Sequence, residues 1–210
     1  MKTSTLSNSF CRQLPGLTAL ILILLTLAPT QTIRATTVLA PGFSGMVTGA
    51  ERIFAGKVTS VRCDWTIRSG RRSIVTTVHF KIERTLKGSA TEELQLEFLG
   101  GTVGKDTMEV HGVPKFIAGE RVILFSRNNG NEFCPLVGIY HGKLLIERDA
   151  QSGADVVLRH NRQPITSATD VGSDPKPSIA AAGNSPVQPP MKIEALFDAV
   201  DKELNAGDRR

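Results

Sequence analysis

Two adjacent runs restrict what this chain can fold into more than any other feature. Residues 74–88 (IVTTVHFKIERTLKG) set Ile74, Thr76, Val78, Phe80 and Ile82 in one phase of a two-residue period, with Val75, Thr77, His79, Lys81 and Glu83 in the other. Period two, filled by β-branched and aromatic side chains, predicts a half-buried strand that Lys87-Gly88 ends with a residue free to turn at positive φ. The run before it, residues 51–63 (ERIFAGKVTSVRC), carries Phe54, Gly56 and Val58 in one phase, then Val61, Cys63 and Trp65 in the other. A slip of phase inside one strand predicts a bulge at Thr59 and Ser60, the device by which a strand bends around a curving sheet. The polar connection Arg68-Ser69-Gly70-Arg71-Arg72 predicts a hairpin between the two.

The remaining pattern extends this hairpin into a mainly β fold. Residues 36–50 contain Pro41, Gly42, Gly45 and Gly49, with Ser44 placed to cap a short helix through Met46, Val47 and Ala50. Residues 93–99 alternate as a third strand, residues 107–111 form a short one, and residues 121–127 (RVILFSR) read as a more deeply buried fourth main strand. Asn128-Asn129-Gly130-Asn131 is the strongest hairpin signal in the chain, and it predicts a returning strand over residues 133–140. Residues 143–147 and 155–159 complete the set. Residues 164–190 shift to Pro, Ser, Ala, Gly and Asn and predict a disordered linker. Ile193, Leu196, Phe197, Val200 and Leu204 then fall at helical spacing, so residues 191–205 predict an amphipathic helix that docks on the β-domain or meets a partner.

The first 35 residues read as a secretory leader: Lys2 and Arg12 in a basic n-region, the apolar run 17–28 (LTALILILLTLA), and cleavage after Ala35. The apolar run is shorter than the roughly 20 residues a spanning helix needs. The expected domains are therefore a signal peptide (1–35), a β-domain (36–163), a linker (164–190) and a helix (191–205). Charge must be counted after that cut. The chain has 25 Lys+Arg against 20 Asp+Glu, and the leader holds Lys2, Arg12 and Arg34 with no acid, which leaves 22 against 20, or +2. Net charge then gives no support to general polyanion binding. Cys11 departs with the leader, and Cys63 and Cys134 remain. In an oxidising compartment they predict one disulfide, worth about 4 kcal/mol in the chain-entropy account; two free thiols are the alternative.

With those elements placed, the order of Ile53-Phe54-Ala55-Gly56-Lys57-Val58, Thr77-Val78-His79-Phe80-Lys81-Ile82, Leu86-Lys87-Gly88 and Gly119-Glu120-Arg121-Val122-Ile123-Leu124-Phe125 resembles the OB-fold barrel of the netrin-like domain, which includes the tissue inhibitors of metalloproteinases. It is similar also to a set of bacterial secreted proteins that share the strand, Leu-Lys-Gly and Gly-Glu-Arg order. The resemblance spans about residues 51–147 and implies a small closed or partly open OB-like β-barrel with a short N-terminal and a C-terminal helix. The chain departs from the animal inhibitors in one respect. Those present a Cys as first mature residue to chelate a target's zinc, whereas here the expected first residue is Thr36 and no Cys precedes Cys63 after the leader.

The residues name no catalytic pair. Gly42-Phe43-Ser44-Gly45 lacks the spacing of a nucleophile elbow, and Gly101 to Lys105 lacks the hydroxyl and loop length of a phosphate loop. His79, His111, His141 and His160 lie in separate segments without ligand spacing, as scattered surface histidines, so neither metal nor cofactor is expected. Asp64, Asp106, Asp149 and Asp155 sit near turns where Asp is common. The candidate binding loop is Trp65 with Arg68, Arg71 and Arg72, at the loop that flanks the usual binding face of an OB-fold; a solvated hairpin tip is the plainer reading. The functional expectation is an exported, non-enzymatic protein-binding module. Its partner would be another secreted or envelope protein, a protease among them, rather than nucleic acid or a membrane anchor. The alternative is a cell-envelope assembly protein built through the terminal helix.

Overall fold

The computed structural model describes residues 40–68, 70–174 and 188–207; the expected leader lies outside them. Helix α1 (Gly42–Gly49) leads into β1 (Arg52–Arg68) and β2 (Arg71–Lys87), a long antiparallel hairpin. β3 (Glu93–Leu99), the small pair β4 (Gly101–Val103) and β5 (Asp106–Met108), β6 (Arg121–Ser126), β7 (Lys143–Arg148) and β8 (Asp155–Arg159) follow, and α2 (Ile193–Gly207) ends the chain. No helix among the described residues is long and apolar enough to cross a membrane.

The phase slip in β1 is real. Pairing runs Val58 with Phe80, skips Thr59, and resumes at Ser60 with His79, so Val61, Cys63 and Trp65 continue the face that Phe54 and Val58 began. The six main strands lie in the order β3-β2-β1-β6-β7-β8, all antiparallel. β3 and β8 are its two edges, so the ladder is open and the closed form of the expected barrel is not reached.

Each face of this sheet carries its own core. Ile53, Ala55, Ile123, Phe125, Leu144, Ile146 and Val157 meet Met46 and Val47 of α1 and Leu196, Phe197 and Val200 of α2. The intervening Phe54, Val58, Val122, Leu124 and Leu145 point the other way, into Val78, Phe80, Leu96, Phe98 and Phe116. Burial on both sides explains why residues 53–55 and 122–125 lack polar alternation. It also shows that the terminal helix docks on its own domain.

Two stretches depart from expectation. Asn128-Asn129-Gly130-Asn131 does not turn the chain back into a strand. The ladder partner of β6 is β7, and residues 133–140 hold only a bridge from Leu136 to Ser126 before the 3-10 turn Ile139–Gly142. The Asn129 side chain instead imitates a peptide group along the β3 edge: its Oδ1 accepts from Glu97 N at 3.0 Å and its Nδ2 donates to Gln95 O at 2.9 Å. An exposed edge invites pairing with another chain, and this amide occupies it. Asn129→Ala is expected to cost about 1 kcal/mol, seen as a lower urea midpoint, and to raise the rate of aggregation on mild heating.

The second departure is the linker. Residues 164–174 are packed: Ile165 and Val171 are fully buried, Pro164 bridges Leu158, and Asp170 Oδ2 accepts from Thr166 N, Thr166 Oγ1 and Ser167 N at 2.8–3.0 Å. Two apolar side chains and one carboxylate outweigh a composition that otherwise reads as loose. Met191 N donates to Ile165 O at 2.6 Å and Met191 O accepts from Val157 N at 2.9 Å, which covers the β8 edge. Residues 175–187 of the expected linker lie outside the described residues.

Candidate functional site

Beyond the bulge, the inner face of β1 outruns the core beneath it. Val61 and Cys63 there form the floor of a cleft of about 660 Å³, and β4, β5 and residues 109–116 form its walls. The floor is set by close backbone packing. Thr76 Oγ1 donates to Gly100 O at 2.6 Å and lies 3.3 Å from Cys63 Sγ. At Gly101, where φ is +135°, a Cβ would fall 2.5 Å from Thr76 Oγ1 and 2.7 Å from Cys63 Sγ, so only glycine allows β4 to lie this low. Val61, Met108, Val110, Val113 and Phe116 make much of the lining apolar, and a Lys115–Glu109 pair at 3.7 Å sits among exposed side chains at its rim. That size and lining suit one or two side chains of a partner or a small apolar ligand.

The residues expected to bind are only partly assembled. The Arg72 guanidinium lies 4.1 Å over the Trp65 ring, a cation–π pair on the same face as the cleft floor. Arg68 turns away, its guanidinium donating to the Gly130 and Glu132 carbonyls, the latter at 3.4 Å. Arg71 is exposed beside the turn. None of the four lines the cleft. Its walls went unread in the sequence because residues 100–116 show only glycine and proline punctuation; the one clue was the surplus of glycines at 100, 101, 104 and 112.

The expected Cys63–Cys134 disulfide is absent from the structure, where both thiols are free. Cys63 pairs with Thr76, Thr76 with Phe98, and the chain before Cys134 meets β3 on its far side, where Leu99 N donates to Phe133 O. Two interstrand spacings of about 4.8 Å already exceed the reach of a disulfide. Burial pushes the Cys134 thiol up to about 12, so it remains a protonated packing group.

A second polar cluster lies near β7 and β8. The His141 side chain is 3% exposed, against the surface position expected for it, and its Nε2 makes no hydrogen bond while lying 3.4 Å from Asp174 Oδ1. Tyr140 stands between His141 and His160, with ring centroids 4.4 and 4.7 Å away. Burial, aided by Arg159, holds the His141 pKa below the usual 6.5, and Asp174 opposes this. An unfolded chain therefore takes up this proton first, so the contribution is full above about 6.5 and is lost as pH falls toward the folded value. We expect the urea midpoint to drop between pH 7.5 and pH 5, and His141→Gln to flatten that dependence.

The short motifs behind the family resemblance turn out to hold elements together. In Leu86-Lys87-Gly88, Lys87 Nζ donates to Val47 O at 2.8 Å and Thr48 O at 3.2 Å, capping the end of α1. In Gly119-Glu120-Arg121, Glu120 pairs with Lys143 at 2.7 Å, while Arg121 bridges Glu83 at 2.9 Å and Asp155 at 2.7 Å. Asp149 accepts from Ser152 N at 2.8 Å in an ordinary turn. No three His, Cys, Asp or Glu side chains among the described residues are grouped to hold a metal ion. No family model, curated protein or solved structure matches the chain.

Proposed function

We propose that this chain is an exported, non-enzymatic protein-binding module that takes a segment of another secreted or envelope protein into the cleft floored by Val61 and Cys63. The observation that carries the reading is the cleft itself: about 660 Å³, largely apolar, and built by a bulge and a glycine that serve no core-packing purpose on that face. The leader-like first 35 residues support export.

We relate the fold to the OB barrels of netrin-like domains. Support comes from the bulged first strand and from residues 133–136, which reach from β6 to β3 by hydrogen bonds of Arg127 N to Pro135 O and Leu99 N to Phe133 O. This is the direction in which such a sheet curls to closure. The assembly reading loses its instrument, since α2 spends Leu196, Phe197 and Val200 on its own core.

A secreted protease is the partner class to test first. The processed protein, its N-terminus verified by mass, is titrated against a panel of secreted metallo- and serine proteases. Saturable inhibition at stoichiometric amounts, weakened at least about tenfold by Val61→Glu, is the expected result. Absence of inhibition across the panel removes proteases from the reading.

A further inference from the structure

We infer that the end of the β1–β2 hairpin is a docking tip for an anionic lipid surface. Neither core cluster includes any residue from 59 to 77, so the outer half of the hairpin stands apart from both cores. Its apex is apolar: Ile67 is 77% exposed, and Trp65 is 36% exposed on the same strand face. Phe133, 42% exposed, belongs to the loop that Arg68 fastens alongside.

A cationic collar surrounds this apex. Residues 62–72 contain Arg62, Arg68, Arg71 and Arg72 against the single acid Asp64, which is committed to Arg62 at 2.9 Å. Glu132, the nearest acid on the neighbouring loop, is engaged by Arg127 at 3.5 Å and Asn128 at 2.7 Å. Among the described residues no carboxylate pairs with Arg68, Arg71 or Arg72. Three guanidiniums without carboxylates call for an anionic occupant, which fixes the sign of the partner.

Shape then selects the class. Protein hot spots sit within flat or concave patches that a rim seals from water, whereas this surface is convex, with its apolar side chains at the apex of a narrow hairpin. A lipid surface accepts that form. Trp65 and Ile67 enter the boundary between headgroups and acyl chains, and the arginines meet the lipid phosphates. The contact is peripheral and reversible, and it leaves the cleft open to its own partner.

Trp65 is the only tryptophan in the chain, so its emission reports on the tip alone. The processed protein is mixed with vesicles of phosphatidylcholine, or of equal parts phosphatidylcholine and phosphatidylglycerol, and followed by fluorescence and by co-sedimentation. The expected result is a blue shift and sedimentation with the anionic vesicles only, lost at high salt. Partition should fall at least about tenfold in Ile67→Asp and severalfold in Arg71→Glu, with circular dichroism unchanged. Emission that anionic vesicles leave unmoved overturns the proposal and returns the tip to a protein partner, as does binding that survives Ile67→Asp.

Discussion

Replacing Phe80 by alanine should cost about 3–5 kcal/mol and lower the melting temperature by about 6–20 °C. Phe80 is fully buried at the centre of the core between β2 and the loop that walls the cleft. It meets Phe54 edge to face at 5.7 Å and Phe116 at 5.6 Å, while Phe116 touches Phe98 at 4.8 Å. Aromatic contacts of this geometry add to the area buried, and a cavity amid four rings cannot collapse without moving two strands. Phe80→Leu should cost less than half as much. Urea unfolding with an unchanged m-value separates this from a change in the unfolded state. Because Phe116 closes the inner end of the cleft, Phe80→Ala should also weaken partner binding more than its stability loss alone accounts for.

The second large effect is expected at Lys143. Its side chain is 4% exposed, yet the ammonium is fully engaged: Nζ donates to Lys115 O at 2.6 Å and Glu120 Oε2 at 2.7 Å, and lies 4.4 Å over the Phe116 ring. Burial pulls its pKa below the usual 10.5, and Glu120 pushes back. Lys143→Ala leaves Glu120 without its partner at a site it cannot easily leave, which should cost about 3–5 kcal/mol. The double replacement Lys143→Met with Glu120→Leu should recover most of that loss, because two apolar groups of similar volume need no desolvation. A double-mutant cycle by urea unfolding measures the coupling. A double variant no more stable than Lys143→Ala would mean that the carbonyl of Lys115, and not the ion pair, is what the ammonium secures.

How far the sequence could be read depended on whether one residue's environment was local. The bulge at Thr59 was legible because one phase of β1 gives way to the other within two residues, and the skipped partner lies on the strand next in sequence. β3 and β8 appeared with their observed limits for the same reason, as short alternating runs bounded by turns. The Asn128–Asn131 stretch misled because the turn preference of Asn-Gly lost to a tertiary demand, the unpaired edge of β3 that Asn129 satisfies. Ile165 and Val171 were hidden among prolines and serines, where composition reports the average and burial depends on two side chains. The pairing of Cys63 with Cys134 failed on geometry that counting cannot supply, namely two intervening strands. At the candidate site, the floor residues Val61 and Cys63 were visible as the out-of-phase half of β1. The walls were not, since glycine-rich hairpins carry no periodicity and their position depends on how closely Gly101 approaches Thr76.

The central claim is that the cleft floored by Val61 holds a segment of another exported protein. It is tested most directly by placing a photo-crosslinking side chain at Val61, with Lys202 on the exposed face of α2 as the control position, and irradiating in the exported fraction of the source cells. The account predicts one adduct of defined mass from position 61, absent from position 202 and competed away by unlabelled protein. Adducts of the same pattern from both positions, or none from position 61, would contradict it.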